Sequence, residues 1–256
     1  MDELRCRVKA ASVANLTDAR YFAALGVDYL GFKLEPGHQD SVNPEFVAAL
    51  REWVQGPELV GEFGGVALDD IVRLSQQLEL HVIELGPFGK TRQVAEATGL
   101  DILQSLPLGD DLSPEVVQPI LDQNADVVRG FVLDFASNSL NWQLLQSRPG
   151  WMRWLESTCA DFPVLLDIPA PASAVTEILT ALNPVGVQLR GGEEEAVGVK
   201  SFEDLDDWFE VLRVEELSIL LVNYAAPIGY ASLAGSMYLP SLARTSSLTR
   251  VGRLVS

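Results

Sequence analysis

The sequence predicts an α/β protein of the (β/α)8 barrel class followed by a C-terminal extension, and three observations carry that expectation. Short β-branched or leucine-rich runs alternate with longer stretches of helical period, the pattern of βα units around a parallel sheet. Eight such runs occur before the chain changes character near its end. The chain has 256 residues, 48% of them hydrophobic, which is enough for a substantial core and near the usual size of one α/β barrel. The barrel is expected over residues 1–213 and the extension over 214–256.

In chain order, strands are expected near residues 7–13, 29–34, 59–63, 81–85, 102–106, 130–134, 164–168 and 185–189. Helix starts support the count. Asn43-Pro44-Glu45 and Ser113-Pro114-Glu115 each place a capping side chain before a proline at the first helical position. Ser201 with Asp204 reads as a capping box, and Phe202, Leu205, Phe209 and Leu212 then form one apolar stripe that should close the barrel against its neighbours. Trp53, Trp142, Trp151 and Trp154 fall in or near helical segments, where packing on the barrel's outside is the expected use of the rings.

Charge narrows the function classes. The formal net charge is −18, which opposes binding to nucleic acid or an anionic membrane, since both require a basic face. Cys6 and Cys159 show neither metal-ligand nor redox spacing and are too few for a disulfide framework, so no metal site or cofactor is expected and a reduced cytoplasm is the default location. The N-terminus mixes Asp2, Glu3, Arg5 and Arg7 with few apolar residues and does not read as a signal peptide.

Several stretches point to one family. The run Val8-Lys9-Ala10-Ala11-Ser12-Val13-Ala14-Asn15, with Asp18-Ala19 after it, resembles the opening pattern V-K-I-C-G-I-T-N-x-x-D-A of phosphoribosylanthranilate isomerase, a (β/α)8 barrel of tryptophan biosynthesis. Lys9, Asn15, Asp18 and Ala19 match it. Leu30-Gly31-Phe32, Pro36 and Val42-Asn43-Pro44-Glu45 resemble a second family stretch, and Val60-Gly61-Glu62-Phe63 resembles its third strand. Asn183-Pro184-Val185-Gly186-Val187, then Gly192, Glu194 and Gly198-Val199-Lys200, resemble the last. The resemblance runs through most of residues 7–213.

The family's reaction is an Amadori rearrangement, in which an aminoaldose opens, loses its C2 proton and becomes an aminoketose. An acid and a base must face the sugar from different strands. The resemblance places the acid at Asp134, in Phe131-Val132-Leu133-Asp134, although a cap on the following loop is an equal reading of that carboxylate. Ala11 stands where the family carries its cysteine base, and a methyl group takes no proton. Cys6 sits at the opposite end of the expected strand, and Ser12 should point away from Ala11 by strand alternation. Asp40 aligns with the arginine that would hold the anthranilate carboxylate, and so repels it.

The family's phosphate-binding loops are replaced as well. Ala136-Ser137-Asn138-Ser139 stands for G-G-T-G after the sixth strand, and Asp167-Ile168-Pro169-Ala170-Pro171 stands for A-G-G after the seventh. Prolines remove N–H donors from the latter. Arg190, Gly191 and Gly192 after the eighth strand alone still look capable of meeting an anion, but the acidic run Glu193-Glu194-Glu195 beside them weakens that and favours reading the stretch as a solvated acidic loop.

If strand parity follows Lys9 and Ala11 inward, Lys9, Glu62, Glu84, Asp134, Asp167 and Arg190 converge at the C-terminal ends of the strands. Lys9 is then either a catalytic partner of Asp134 or one half of a buried ion pair that sets register. Two functions stay open. One is a family barrel that has lost the original isomerase activity; the other is an aldose–ketose isomerase rebuilt around Asp134, taking a small phosphorylated sugar. Residues 218–243 carry no charge, and Arg244, Arg250 and Arg253 follow. Prolines and polar residues in that run oppose a membrane span and favour docking on the barrel or on a second copy of the chain.

Overall fold

A computed structural model describes residues 4–38, 40–191, 194–196 and 199–214. Eight parallel strands close a barrel in sequential order: β1 (Arg7–Ala11), β2 (Tyr29–Lys33), β3 (Glu58–Phe63), β4 (Val82–Leu85), β5 (Asp101–Pro107), β6 (Gly130–Asp134), β7 (Val164–Asp167) and β8 (Gly186–Arg190). β1 pairs with both β2 and β8, which closes the ring. The helices α1 (Leu16–Ala24), α2 (Pro44–Arg51), α3 (Leu68–Gln77), α4 (Thr91–Thr98), α5 (Pro114–Asn124), α6 (Trp142–Gln146), α7 (Pro149–Asp161), α8 (Ala172–Leu182) and α9 (Glu203–Leu212) connect and follow the strands. A short antiparallel pair, β9 (Glu194–Ala196) with β10 (Val199–Lys200), lies between β8 and α9 and was not expected from the sequence.

Local chemistry accounts for the helix starts. Asn15 accepts a hydrogen bond from the Asp18 amide at 2.9 Å and donates to the Asp18 carboxylate at 2.9 Å, so two residues of the opening motif form an N-cap. Asn43 caps α2 by accepting from the Glu45 amide, ahead of Pro44. Two expected caps differ in detail. The Ser113 hydroxyl turns to the Glu115 carboxylate at 2.6 Å and leaves the helix amides alone. At α9 the Ser201 hydroxyl accepts from the Glu203 amide at 3.4 Å, so the box expected with Asp204 is replaced by a longer, nearer contact.

The α9 stripe does what its period required. Leu205, Phe209 and Leu212 are buried, and Phe202 stacks on Tyr21 of α1 with ring centroids 4.1 Å apart. Trp142 is buried, whereas Trp53, in the turn after α2, is 77% exposed and does not cover the barrel as expected. Residues 215–256, including the uncharged run and its docking expectation, lie outside the described residues. Among the described residues, no helix is long and apolar enough to cross a membrane.

The core has two parts, and their arrangement positions the site. Alternate strand residues face outward into a large cluster shared with the helices, among them Val8, Leu30, Phe32, Ile83, Leu133 and Leu166. The other parity faces inward, where Tyr29, Val60, Val82, Leu103, Val132 and Leu165 fill the barrel with one apolar layer. One step of the pleat further along, the same face of β3 to β7 carries Glu62, Glu84, Ser105, Asp134 and Asp167. The apolar layer therefore floors a polar mouth at the C-terminal end of the barrel.

Candidate functional site

The mouth holds a cavity of about 300 Å³ lined by Ala11, Ser12, Lys33, His38, Asp40, Glu62, Glu84, Ser105, Asp134, Ser137, Gln188 and Arg190. Strand parity thus delivered most of the residues expected there. A larger cavity of about 380 Å³ lies at the opposite end, among Arg7, Tyr29, Glu58 and Arg129, where barrels carry stability and not chemistry.

Lys9 is fully buried and anchors the network under the cavity. Its Nζ donates to Glu62 Oε1 at 2.6 Å and to Gln188 Oε1 at 2.7 Å, and lies 2.9 Å from Glu84 Oε2. Burial alone would lower its pKa, but Glu62 and Glu84 outweigh burial and hold it above the ordinary lysine value. Glu62 is also buried, yet Lys9 and the donors of Ser12 hold its carboxyl below the usual range. Burial pushes the Glu84 carboxyl above its usual range, with Glu62 adding repulsion and Lys9 opposing. Glycine makes this triad fit: a Cβ on Gly31 would stand 2.0 Å from Glu62 Oε1 and 3.1 Å from Lys9 Nζ.

The network continues across the barrel. Gln188 Nε2 donates to Asp167 Oδ2 at 2.8 Å, and the same oxygen meets Arg190 Nη2 at 2.8 Å. Arg190 also reaches Asp134 Oδ2 at 3.2 Å. Burial, with Asp134 nearby, raises the Asp167 carboxyl above its ordinary value against the pull of Arg190. Asp134 spends both oxygens accepting from the protein, from the Ser137 amide at 2.8 Å, the Ser137 hydroxyl and Arg190. The structure thus brings Lys9, Glu62 and Glu84 into one cluster and Asp134, Asp167 and Arg190 into another, joined by Gln188.

Two sequence expectations change here. Ser12 was expected to point away from Ala11, but β1 ends at Ala11 and Ser12 takes φ +50°, a left-handed conformation that breaks the alternation. Its amide donates to Glu62 at 3.2 Å and its hydroxyl at 2.9 Å, so it lines the same cavity. Arg190 faces two carboxylates instead of an open anion site, and a Cβ on Gly191 would stand 2.6 Å from Asp18 Oδ2. Gly192 lies outside the described residues. Cys6 is half-buried with its thiol pushed up to about 11 by burial and Asp28, and it does not line the cavity.

Sequence reasoning missed two residues. Gln188 shares the inward parity of Arg190 on β8 and was recoverable from that spacing. His38, on the loop after β2, carries no periodic signal; its Nδ1 accepts from the Asp40 amide at 3.2 Å. In the loop after β6 the Asn138 and Ser139 amides donate to the Phe135 and Ala136 carbonyls, and in the loop after β7 Pro169 and Pro171 carry no N–H. The Ser137 amide is taken by Asp134. Among the described residues, no group of three or more His, Cys, Asp or Glu is placed to hold a metal ion.

Fold and site together define a (β/α)8 barrel with a polar cavity at the C-terminal strand ends. Residues 8–211 match the family described as N-(5'phosphoribosyl)anthranilate (PRA) isomerase. An N-(5'-phosphoribosyl)anthranilate isomerase of Deinococcus radiodurans is 31% identical over 225 residues, covering 83% of this chain and 99% of the relative. The crystal structure of phosphoribosyl anthranilate isomerase from Thermus thermophilus is 29% identical with a TM-score of 0.62, covering 84% of this chain and 99% of that one. The Thermotoga maritima enzyme, at 16% identity and a TM-score of 0.65 over 81% of this chain and 98% of its own, shares the fold. The chain belongs to the phosphoribosylanthranilate isomerase family.

Proposed function

We propose that this family member does not isomerise phosphoribosylanthranilate. One observation carries the reading: position 11, at the mouth end of β1, lines the cavity and presents only a methyl group. Removal of the sugar C2 proton requires a base on that side, and general-base catalysis is commonly worth about 10²–10⁴ in rate. Supporting features agree with it. Asp134, the expected acid, is engaged as an acceptor by Ser137 and Arg190, and the amides that would cradle phosphate after β6 and β7 are occupied or replaced by proline.

Expression in a tryptophan auxotroph lacking the isomerase tests the reading directly, and no growth is expected. Robust complementation by the unmodified chain overturns it. Ala11→Cys alone should also fail, because it restores a thiol without restoring the phosphate loops.

A second reading rests on His38, which lines the same cavity as Asp134 and whose ring nitrogens can accept and donate a proton. It describes a rebuilt aldose–ketose isomerase with His38 as base. Turnover of an aldose that disappears in both His38→Ala and Asp134→Asn, with unchanged folding, supports it; turnover that survives either change excludes it.

A further inference from the structure

We propose that the cavity at the N-terminal end of the barrel binds a free α-amino acid as its zwitterion, the carboxylate against Arg7 and the Tyr29 hydroxyl and the ammonium against Asp28. The site lies at the opposite end of the barrel from the mouth, so it asks for binding without chemistry and stands whether or not the mouth isomerises.

The pleat that puts polar side chains above the apolar layer also puts them below it. Arg7 shares the inward parity of Lys9 on β1, and Glu58 shares that of Val60 and Glu62 on β3. Tyr29 belongs to the layer itself and carries its hydroxyl to the cavity. With Asp28 and Arg129 these residues line about 380 Å³.

The two arginines there are matched differently. Arg129 is taken up by carboxylates, its Nη1 donating to Glu58 Oε2 at 2.6 Å and to Asp101 Oδ2 at 3.2 Å, and its guanidinium lies over the Tyr29 ring. Arg7 has no such partner. Its Nη1 donates to the Tyr29 hydroxyl at 2.8 Å, and among the described residues no carboxylate pairs with it. That bond uses the hydroxyl as an acceptor and leaves its own proton over. Tyr29 is 2% exposed, and among the described residues its O–H meets no acceptor. A buried donor left unmade costs free energy, and one carboxylate accepting from both the guanidinium and the phenol removes that cost.

The opposite charge stands beside it. Asp28 precedes Tyr29 and accepts from the Val8 amide at 2.8 Å through Oδ2, and among the described residues no cation pairs with it. Val8 in turn follows Arg7, so an unpaired guanidinium and an unpaired carboxylate border one cavity from neighbouring strands without closing on each other. A simple anion would suit Arg7 and be repelled by Asp28 and Glu58, whereas a zwitterion answers both signs at once. Ala23, Val27 and Pro57 form part of the wall, and a volume of about 380 Å³, roughly a dozen waters, leaves room for an aliphatic side chain.

Titration calorimetry on the full chain at low salt tests the proposal with leucine, and with 4-methylpentanoate and isopentylamine, the same skeleton bearing only the carboxylate or only the ammonium. Leucine should bind, and each singly charged analogue should bind about tenfold or more weaker. Tyr29→Phe keeps the ring and should weaken leucine about tenfold, the effect of losing one hydrogen bond to a charged group, and Arg7→Gln should weaken it further. Asp28→Asn should weaken leucine while leaving 4-methylpentanoate no weaker. Circular dichroism checks folding, and the analogue comparison on the unmodified chain decides the matter where a variant does not fold. Silence from leucine, equal affinity for leucine and either analogue, or leucine binding untouched by both Tyr29→Phe and Arg7→Gln overturns the proposal. Leucine binding that is lost in Asp134→Asn places the ligand at the mouth and overturns it as well.

Discussion

Lys9 is the residue on which the mouth depends, because it neutralises two buried carboxylates at 2.6 and 2.9 Å while being wholly shielded from water. Replacing one partner of a buried ion pair leaves the other charge unpaired, which costs about 3–5 kcal/mol. Lys9→Met should therefore lower stability by about that amount in urea unfolding at neutral pH. Glu84 makes the opposite case. It binds its proton more tightly folded than unfolded, so the stability it contributes is fully present below the unfolded carboxylate pKa and is lost as pH rises through the raised folded value. Glu84→Gln removes that loss. The variant's melting temperature should gain on the unmodified protein's between acidic and neutral pH, and parallel curves would show that Glu84 does not titrate in that range.

At the scale of elements, β2 owes its middle glycine to its neighbours. A Cβ on Gly31 would enter the space of Glu62 Oε1 at 2.0 Å, and neither Glu62 nor Lys9 can retreat without leaving a charge unpaired. Gly31→Ala should cost about 1–3 kcal/mol or more, the range of overpacking in a filled interior. Thermal melting checks it, and an unchanged midpoint would mean that the triad is looser than its distances indicate. The end of β1 is set by a similar constraint. Ser12 leaves the strand at φ +50° and turns its amide and hydroxyl to Glu62, so the strand stops where its alternation would have carried the hydroxyl away. Helix α9 needed no such contact to be read, because Leu205, Phe209 and Leu212 recur at helical spacing and all are buried.

For the whole molecule the governing quantity is the net charge of −18. Like charges spread over a folded surface repel more strongly than in an expanded chain, and salt screens that repulsion within about 10 Å at 0.1 M. Raising sodium chloride should therefore raise the melting temperature of the full chain, and a flat or falling response would show that local ion pairs offset the repulsion. The same acidity acts with the mouth's carboxylates against anionic ligands.

The sequence by itself determined the barrel. Period-2 runs alternating with helical stripes, and a pleat that puts every second strand residue inward, follow from local geometry, so eight strands and the convergence of Lys9, Glu62, Glu84, Asp134, Asp167 and Arg190 were legible along the chain. It also showed Ala11, Asp40 and the altered loops, because substitutions against a family pattern need no coordinates. Only the tertiary structure decided how the converging charges divide: Lys9 with Glu62 and Glu84, Arg190 with Asp134 and Asp167, and Gln188 between them. Pairing depends on distances across the barrel, between residues as far apart in sequence as Lys9 and Gln188, and on side-chain reach that periodicity does not encode. Ser12's turn and His38's place at the rim escaped for the same reason, since each is set by a loop conformation that answers to its neighbours in space.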